Sequence, residues 1–243
     1  MKNMAFLEKI NNEKQYTRRE LYNLIADDMA EYSYNSFNWD LQRMLAGGEI
    51  YRSGRNSYKI GNTDRKNYTS KYSERAEEII AFMENNYSDT EYSLFETSML
   101  NEFLNHQIAK NTVFLYVEKE LSEFVFRDMS DLIVENILFK PKKDDLRKYW
   151  KPDTIIIVDR ISEAPRGKEK RYDTPLEKLF VDLIADVALM NMYSKSEYPE
   201  MLHIANDKYY IDTKKLFRYA RRRGKFQEIK RIMTDGGMEI DIT

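Results

Sequence analysis

Apolar positions recur at helical spacing twice near the start of the chain and then give way to short alternating runs. Leu21, Leu24 and Ile25 form the first stripe. Thr17 precedes it with Glu20 three residues on, the pattern of a capping box in which hydroxyl and carboxylate each satisfy a helix-terminal amide. A second stripe, Phe37, Leu41, Met44 and Leu45, follows Asn35 and Ser36, both good N-caps. Gly47 and Gly48 close it, because glycine takes the left-handed terminal conformation without strain. Glu49-Ile50-Tyr51-Arg52 and Ser57-Tyr58-Lys59-Ile60 are β-prone runs around Ser53-Gly54-Arg55-Asn56. The pattern predicts two helices and a tight hairpin, preceded by an opening helix over 4–10 with Phe6, Leu7 and Ile10 inward.

Beyond residue 62 the pattern changes. Residues 63–72 hold no apolar side chain except tyrosine and read as a linker between a domain over 1–62 and a second over 73–243. In the second, Ser73 opens a helix to about Asn86 with Ala76, Ile79, Ile80 and Met83 inward. A strand at 92–95 follows, then a short helix to 105 capped by Thr97, and a β-branched and aromatic strand at 111–117. A helix over 118–129 places Leu121, Phe124, Val125 and Met129 on one side. A strand at 133–139 stops at Pro141, and a short helix covers 144–150. Thr154-Ile155-Ile156-Ile157-Val158 has no polar alternation, so both its faces are buried and it belongs in the centre of a sheet. After a charged loop at 160–172, Thr174 as cap and Pro175 in the first turn start a helix to about 190 carrying Leu176, Leu179, Phe180, Leu183, Ile184 and Val187. A short strand at 209–211 precedes a basic helix capped by Asp212 or Thr213. Strand and helix alternate, so the fold class is mixed α/β: an N-terminal winged helix-turn-helix followed by a larger α/β domain ending in basic helices.

The first unit has the chemistry of a duplex reader. A helix fits the major groove, and its outward residues reach base edges while cations on neighbouring elements hold the phosphates. With Phe37, Leu41 and Leu45 inward, the other side offers Ser36, Asn38, Gln42 and Arg43, types suited to base-edge hydrogen bonds. Trp39 fits either burial against the wing or exposure. Arg18 and Arg19 lie in the first turn of the preceding helix, where they reach phosphate, and the hairpin adds Arg52, Arg55, Asn56 and Lys59 with no acid among them. The plainer reading is a solvated face on a protein-binding winged helix.

Charge changes this picture through its distribution. The net charge is -2, yet residues 1–72 hold 12 Lys and Arg against 9 Asp and Glu, and 73–135 hold 4 against 14. Residues 212–231 hold 9 against 2. An acidic middle region repels a duplex, so only the ends are candidates for contact. Arg218, Arg221, Arg222 and Lys225 fall on one helical face with Leu216, Phe217 and Ala220 on the docking side. They form either a second phosphate-contacting surface or a bridge to the acidic middle of the same chain or a neighbour.

With 243 residues and no cysteine, the chain suits two domains in a reducing compartment. No apolar run long enough to span a bilayer occurs, so the expected location is the cytoplasm, with no membrane partner. Phosphate-cradling, dinucleotide and serine-nucleophile motifs are absent, and no cofactor or metal is expected. His106 and His203 have no neighbouring ligands in sequence. Asp153 and Asp159 flank the buried strand in a way that faintly resembles a metal-dependent nuclease, the alternative in which the protein is an enzyme.

Together, Arg19-Glu20-Leu21, 39–45, Gly48-Glu49-Ile50-Tyr51-Arg52, Gly54 and Tyr58, with the helix Pro175-Leu176-Glu177-Lys178-Leu179-Phe180-Val181-Asp182 and the strand-helix NTVFLYVEKELSEFVF, resemble the AbiEi-type antitoxins of bacterial abortive-infection toxin-antitoxin systems. The resemblance implies a winged domain that represses its own operon on double-stranded DNA. It also implies a C-terminal domain that counters a nucleotidyltransferase-like toxin without established enzyme activity.

Overall fold

A computed structural model describes residues 14–27, 29, 31–47, 49–54, 56–60, 65–132, 136–167 and 170–238. The expected helix over 4–10 lies outside these residues. The N-terminal unit runs β1 (Tyr16–Thr17), α1 (Arg18–Ala26), α2 (Tyr34–Gly47), β2 (Ile50–Gly54) and β3 (Ser57–Ile60). The capping box of α1 is present: Thr17 Oγ1 accepts from the Glu20 amide at 3.2 Å and Glu20 accepts from the Thr17 amide at 2.7 Å. α2 begins at Tyr34, two or three residues earlier than Asn35 or Ser36 as cap would place it, because Ser33 Oγ accepts from the Ser36 amide at 3.1 Å and takes the capping role. The hairpin forms as expected, and β1 adds a third antiparallel strand by pairing Tyr16 with Tyr58 and Thr17 with Ser57. Tyr16, Leu21, Ile25, Phe37, Leu41, Met44, Ile50, Tyr58 and Ile60 make one core under both helices.

The larger unit is a sandwich around a four-stranded sheet in the order β4 (Tyr92–Glu96), β5 (Thr112–Val117), β7 (Thr154–Asp159), β6 (Ile137–Phe139). β4 is antiparallel to β5, while β5, β7 and β6 are parallel. β7 is interior, as its unbroken apolar run requires. Alternate residues of the strands feed two separate cores. Leu94, Val113, Leu115, Val117, Ile155 and Ile157 face α3 (Glu74–Asn86) and α4 (Ser122–Leu132). Phe95, Phe114, Tyr116 and Ile156 face the layer built from α6 (Leu176–Ala185), α7 (Tyr198–Lys208), α8 (Thr213–Arg222) and α9 (Phe226–Asp235). Leu146 of the short helix α5 (Lys143–Tyr149) joins the second core.

Several expectations are corrected here. Thr97 does not cap its 3₁₀ segment; its Oγ1 accepts from the Thr112 amide at 2.9 Å and ties that segment to β5. α4 starts at Ser122, not 118, and Phe124 stands 49% exposed on its outer side because Leu121, Val125 and Met129 already fill the inner row. Thr174 donates to the Leu94 carbonyl at 2.9 Å, and Pro175 is the cap residue of α6. α6 stops at Ala185, so Val187 is 52% exposed instead of buried. Residues 209–211 form only an isolated bridge, Tyr209 to Lys66. That bridge belongs to a wider difference: 65–72 is no free linker. Tyr68 packs on the second core against Phe103 and Tyr209, and the Tyr72 hydroxyl donates to Asp173 at 2.8 Å.

Candidate nucleic-acid interface

α2 separates its faces sharply. Phe37, Leu41 and Met44 are completely buried, whereas Ser36, Gln42 and Arg43 are exposed and Trp39 is 73% exposed in their midst. The Trp39 indole, an apolar body with one N–H donor, thus stands in water and is open to contact. Arg43 reaches Asp40 at 3.4 Å, and Asp40 also accepts from the Tyr32 hydroxyl at 2.5 Å. Burial first, then the Asp40 carboxylate, holds the Tyr32 phenol well above its ordinary range. Ser36 Oγ is 2.9 Å from Ser33 Oγ.

Three of the expected base or phosphate contacts, Arg18, Asn38 and Asn56, are engaged internally. Arg18 Nη2 donates to Asn38 Oδ1 at 2.6 Å, and its guanidinium lies 5.9 Å from the Tyr34 ring centre and 6.0 Å from that of Phe37. Arg18 thereby fixes the crossing of α1 and α2, and Asn38 is half-buried under it. Asn56, with φ of 57°, occupies the left-handed region that asparagine tolerates, and its Oδ1 accepts from the Arg18 amide at 3.3 Å. The hairpin turn is therefore tied to the start of α1. Arg19 is exposed beside this junction, and Lys59 alternates with buried Tyr58 and Ile60 on the open side of β3. The Arg52 side chain and Arg55 lie outside the described residues.

The other expected cations divide differently. Arg218, Arg221 and Arg222 are exposed on α8, but Lys225 lies beyond the helix end, at the cap position of α9, with its Nζ 3.0 Å from Glu228. The four cations therefore do not share one helical face. Arg222 donates to Ser162 Oγ at 2.7 and 3.0 Å, and Arg221 stacks 4.2 Å from the Phe226 ring centre. The nuclease arrangement is also corrected. Asp153 precedes β7 at φ 59° and Asp159 ends it, so the strand of six residues, about 20 Å long, separates them. They cannot share one ion. Asp159 instead binds Lys140 at 2.6 Å and the Ser122 hydroxyl at 2.6 Å. Among the described residues no three His, Cys, Asp or Glu side chains gather as metal ligands. His106 and His203 each face one acid, Glu197 at 2.7 Å and Asp207 at 3.4 Å.

A family model described as a family of unknown function, DUF6577, matches residues 36–238. The chain belongs to the DUF6577 family. No curated protein matches it. The matched span starts at the exposed Ser36 on α2 and runs through the hairpin and the whole sandwich to Met238, beyond α9.

Inside the α/β body lies a charged cluster that sequence patterns did not reveal. Lys178 and Asp182 of α6 are both buried, with Nζ 2.7 Å from Oδ2 and 3.3 Å from the Tyr116 ring centre. Asp182 Oδ1 accepts from the Tyr219 hydroxyl at 2.8 Å and from Arg223 at 3.1 Å. Burial pushes the Lys178 amine down against the pull of Asp182, and pushes the Tyr116 phenol, whose hydroxyl has no hydrogen-bond partner, well up. The cluster fastens the end of α8 to α6. Its one signal in the sequence is a Lys and an Asp four apart within the most apolar helix.

Proposed function

We propose that the N-terminal unit is a winged helix-turn-helix that binds duplex DNA, with α2 in the major groove and the β2–β3 hairpin as the wing. The observation that carries this is the open face of α2: Trp39 exposed among Gln42, Arg43 and Ser36, opposite fully buried Phe37, Leu41 and Met44. Gln and Arg present donor and acceptor sets matched to base edges, and an indole can cover a thymine methyl or a sugar. Arg19 and Lys59 supply phosphate contacts on either side. Arg18, Asn38 and Asn56 act from behind, holding α1, α2 and the turn in fixed relation.

In this reading the protein is a sequence-specific regulator in the cytoplasm. The resemblance to AbiEi-type antitoxins supports a role in a toxin-antitoxin pair, in which the protein represses its own operon and counters a nucleotidyltransferase-like toxin. The decisive test is a mobility shift on duplex DNA from upstream of its own coding sequence, with a shuffled duplex alongside. Gln42→Ala and Arg43→Ala are expected to lose about 5- to 150-fold on the first duplex and little on the second, the range for a base-edge contact. Lys59→Ala is expected to weaken both alike. Wild-type affinity in all three variants, or no salt-sensitive DNA binding by the parent protein, removes the reading in favour of a protein-binding winged unit.

A further inference from the structure

α8 carries Lys214, Lys215, Arg218, Arg221 and Arg222 and no acid. Three partners suit such a helix: a phosphate backbone, the acidic region of its own chain, or the acidic region of another copy. The sandwich eliminates the second. Neighbouring residues of β5 point to opposite cores, Val113 and Leu115 toward α3 and α4, Phe114 and Tyr116 toward the α6–α9 layer. The basic and acidic helices therefore lie on opposite sides of one sheet, roughly two layer spacings of ~10 Å apart, out of reach of each other's side chains.

The opposite side is predominantly acidic. α3 bears Glu74, Glu77, Glu78 and Glu84 against Arg75, and α4 bears Glu123, Asp128 and Asp131 against Arg127. Arg75 and Arg127 are already paired within their own helices, with Glu78 at 3.1 Å and Asp128 at 3.5 Å. Within this acidic surface Phe124 is 49% and Leu132 68% exposed, on the same outward stripe of α4 as Asp128 and Asp131. Leu132 stands open beside Asp131, and Phe124 stays half-exposed although the Arg127 guanidinium lies 5.2 Å from its ring centre; such a surface suits a partner that brings both cations and aliphatic surface. Arginine and lysine on a helix do this, their methylene stems covering apolar groups while the heads meet acids.

We propose that the α8 face of one molecule docks on the α3–α4 face of a second copy, head to tail. A nucleic acid on α8 would account for the cations alone and leave the acidic, partly apolar face opposite without a role; a second copy accounts for both with one contact. Because donor and acceptor faces lie on opposite sides of the sheet, the contact is heterologous and adds copies in a row instead of closing a two-fold dimer. α8 is a firm base for it: Leu216, Phe217, Tyr219 and Ala220 are buried, and Arg223 anchors its end on Asp182. This inference goes beyond the DNA reading and does not depend on it.

Sedimentation velocity of the full chain at graded protein concentration tests the contact. At about 50 mM salt the average mass is expected to exceed that of one chain and grow with concentration; at about 500 mM, where the screening length shrinks to a few ångströms, it returns to one chain. Arg218→Glu with Arg221→Glu, and separately Glu77→Lys with Asp131→Lys, each abolish association, and an equimolar mixture of the two variants restores it. Restoration also shows that both variants are folded; Arg218→Gln with Arg221→Gln gives the same loss without reversing charge. A parent protein that stays a single chain at low salt, association untouched by either variant, or a mixture that fails to restore it overturns the proposal. So does loss of generic duplex binding in the arginine variants with the parent still a single chain, which assigns α8 to phosphate instead.

Discussion

Single side chains decide how the N-terminal unit holds its shape. Arg18 spends its guanidinium on Asn38 and on the Tyr34 and Phe37 rings, and its amide on Asn56. Arg18→Ala is therefore expected to lower stability by about 1–3 kcal/mol, the cost of a charge-assisted hydrogen bond and its packing, in urea unfolding. The buried cluster makes a sharper demand. Asp182→Ala strips the partner from Lys178 and Arg223 together and is expected to cost about 3–5 kcal/mol, whereas Lys178→Met leaves Asp182 still bonded to Arg223 and Tyr219 and costs less. Reversal of that order would deny Asp182 its place as the hub. Beside it, Asp186 has its carboxyl raised above the ordinary range by burial first and then by Asp182, against the Ala188 amide it accepts from. A raised carboxyl favours the folded state at acid pH, where it is protonated in both states, and the benefit fades as pH climbs through its folded value. Asp186→Asn keeps the acceptor and removes the charge. Its melting temperature should match the parent near pH 3 and exceed it at pH 7; equal values at both show that Asp186 ionises without penalty. None of these roles was legible from residue type. Lys178 and Asp182 look like an ordinary helix pair until the sheet is laid over them.

Elements were legible where one stripe of apolar residues sufficed. Thr17 with Glu20, the α2 stripe and the unbroken β7 run each state their structure locally. β1 could not be seen, because two residues become a strand only when β3 lies alongside. α7 was not among the elements expected from the sequence, although Tyr198, Met201, Leu202 and Ala205 have helical spacing and Pro199 suits a first turn. The tyrosines of 65–72 were the sign that this polar stretch docks, since a true linker has no use for rings. On α2 itself, the sequence left Trp39 between burial and exposure because its position borders the apolar stripe. The capping box gives an element-scale prediction. Thr17→Ala removes the hydroxyl that accepts from the Glu20 amide and leaves the main-chain amide that donates to the Glu20 carboxylate, so it should cost about 1 kcal/mol and fray the start of α1. Amide exchange would register this as lost protection in the first turn of α1, with α2 unchanged.

At the scale of the molecule, the net charge of -2 conceals a body with one acidic and one basic side. The sequence shows the charged blocks but not their opposition, because strands buried on both faces carry no mark of which helix covers which face. Opposed faces and a DNA-reading unit in one chain have a joint consequence. If copies add head to tail through α8 and α3–α4 while α2 reads the duplex, each bound molecule offers its neighbour a second contact, and binding on a duplex long enough for several copies becomes cooperative. Arg218→Glu with Arg221→Glu should flatten that isotherm to independent sites while leaving affinity for a duplex of one site within about twofold, since α2 is untouched. A variant that keeps the steep isotherm locates cooperativity in the duplex itself. One that loses single-site affinity puts α8 on the DNA.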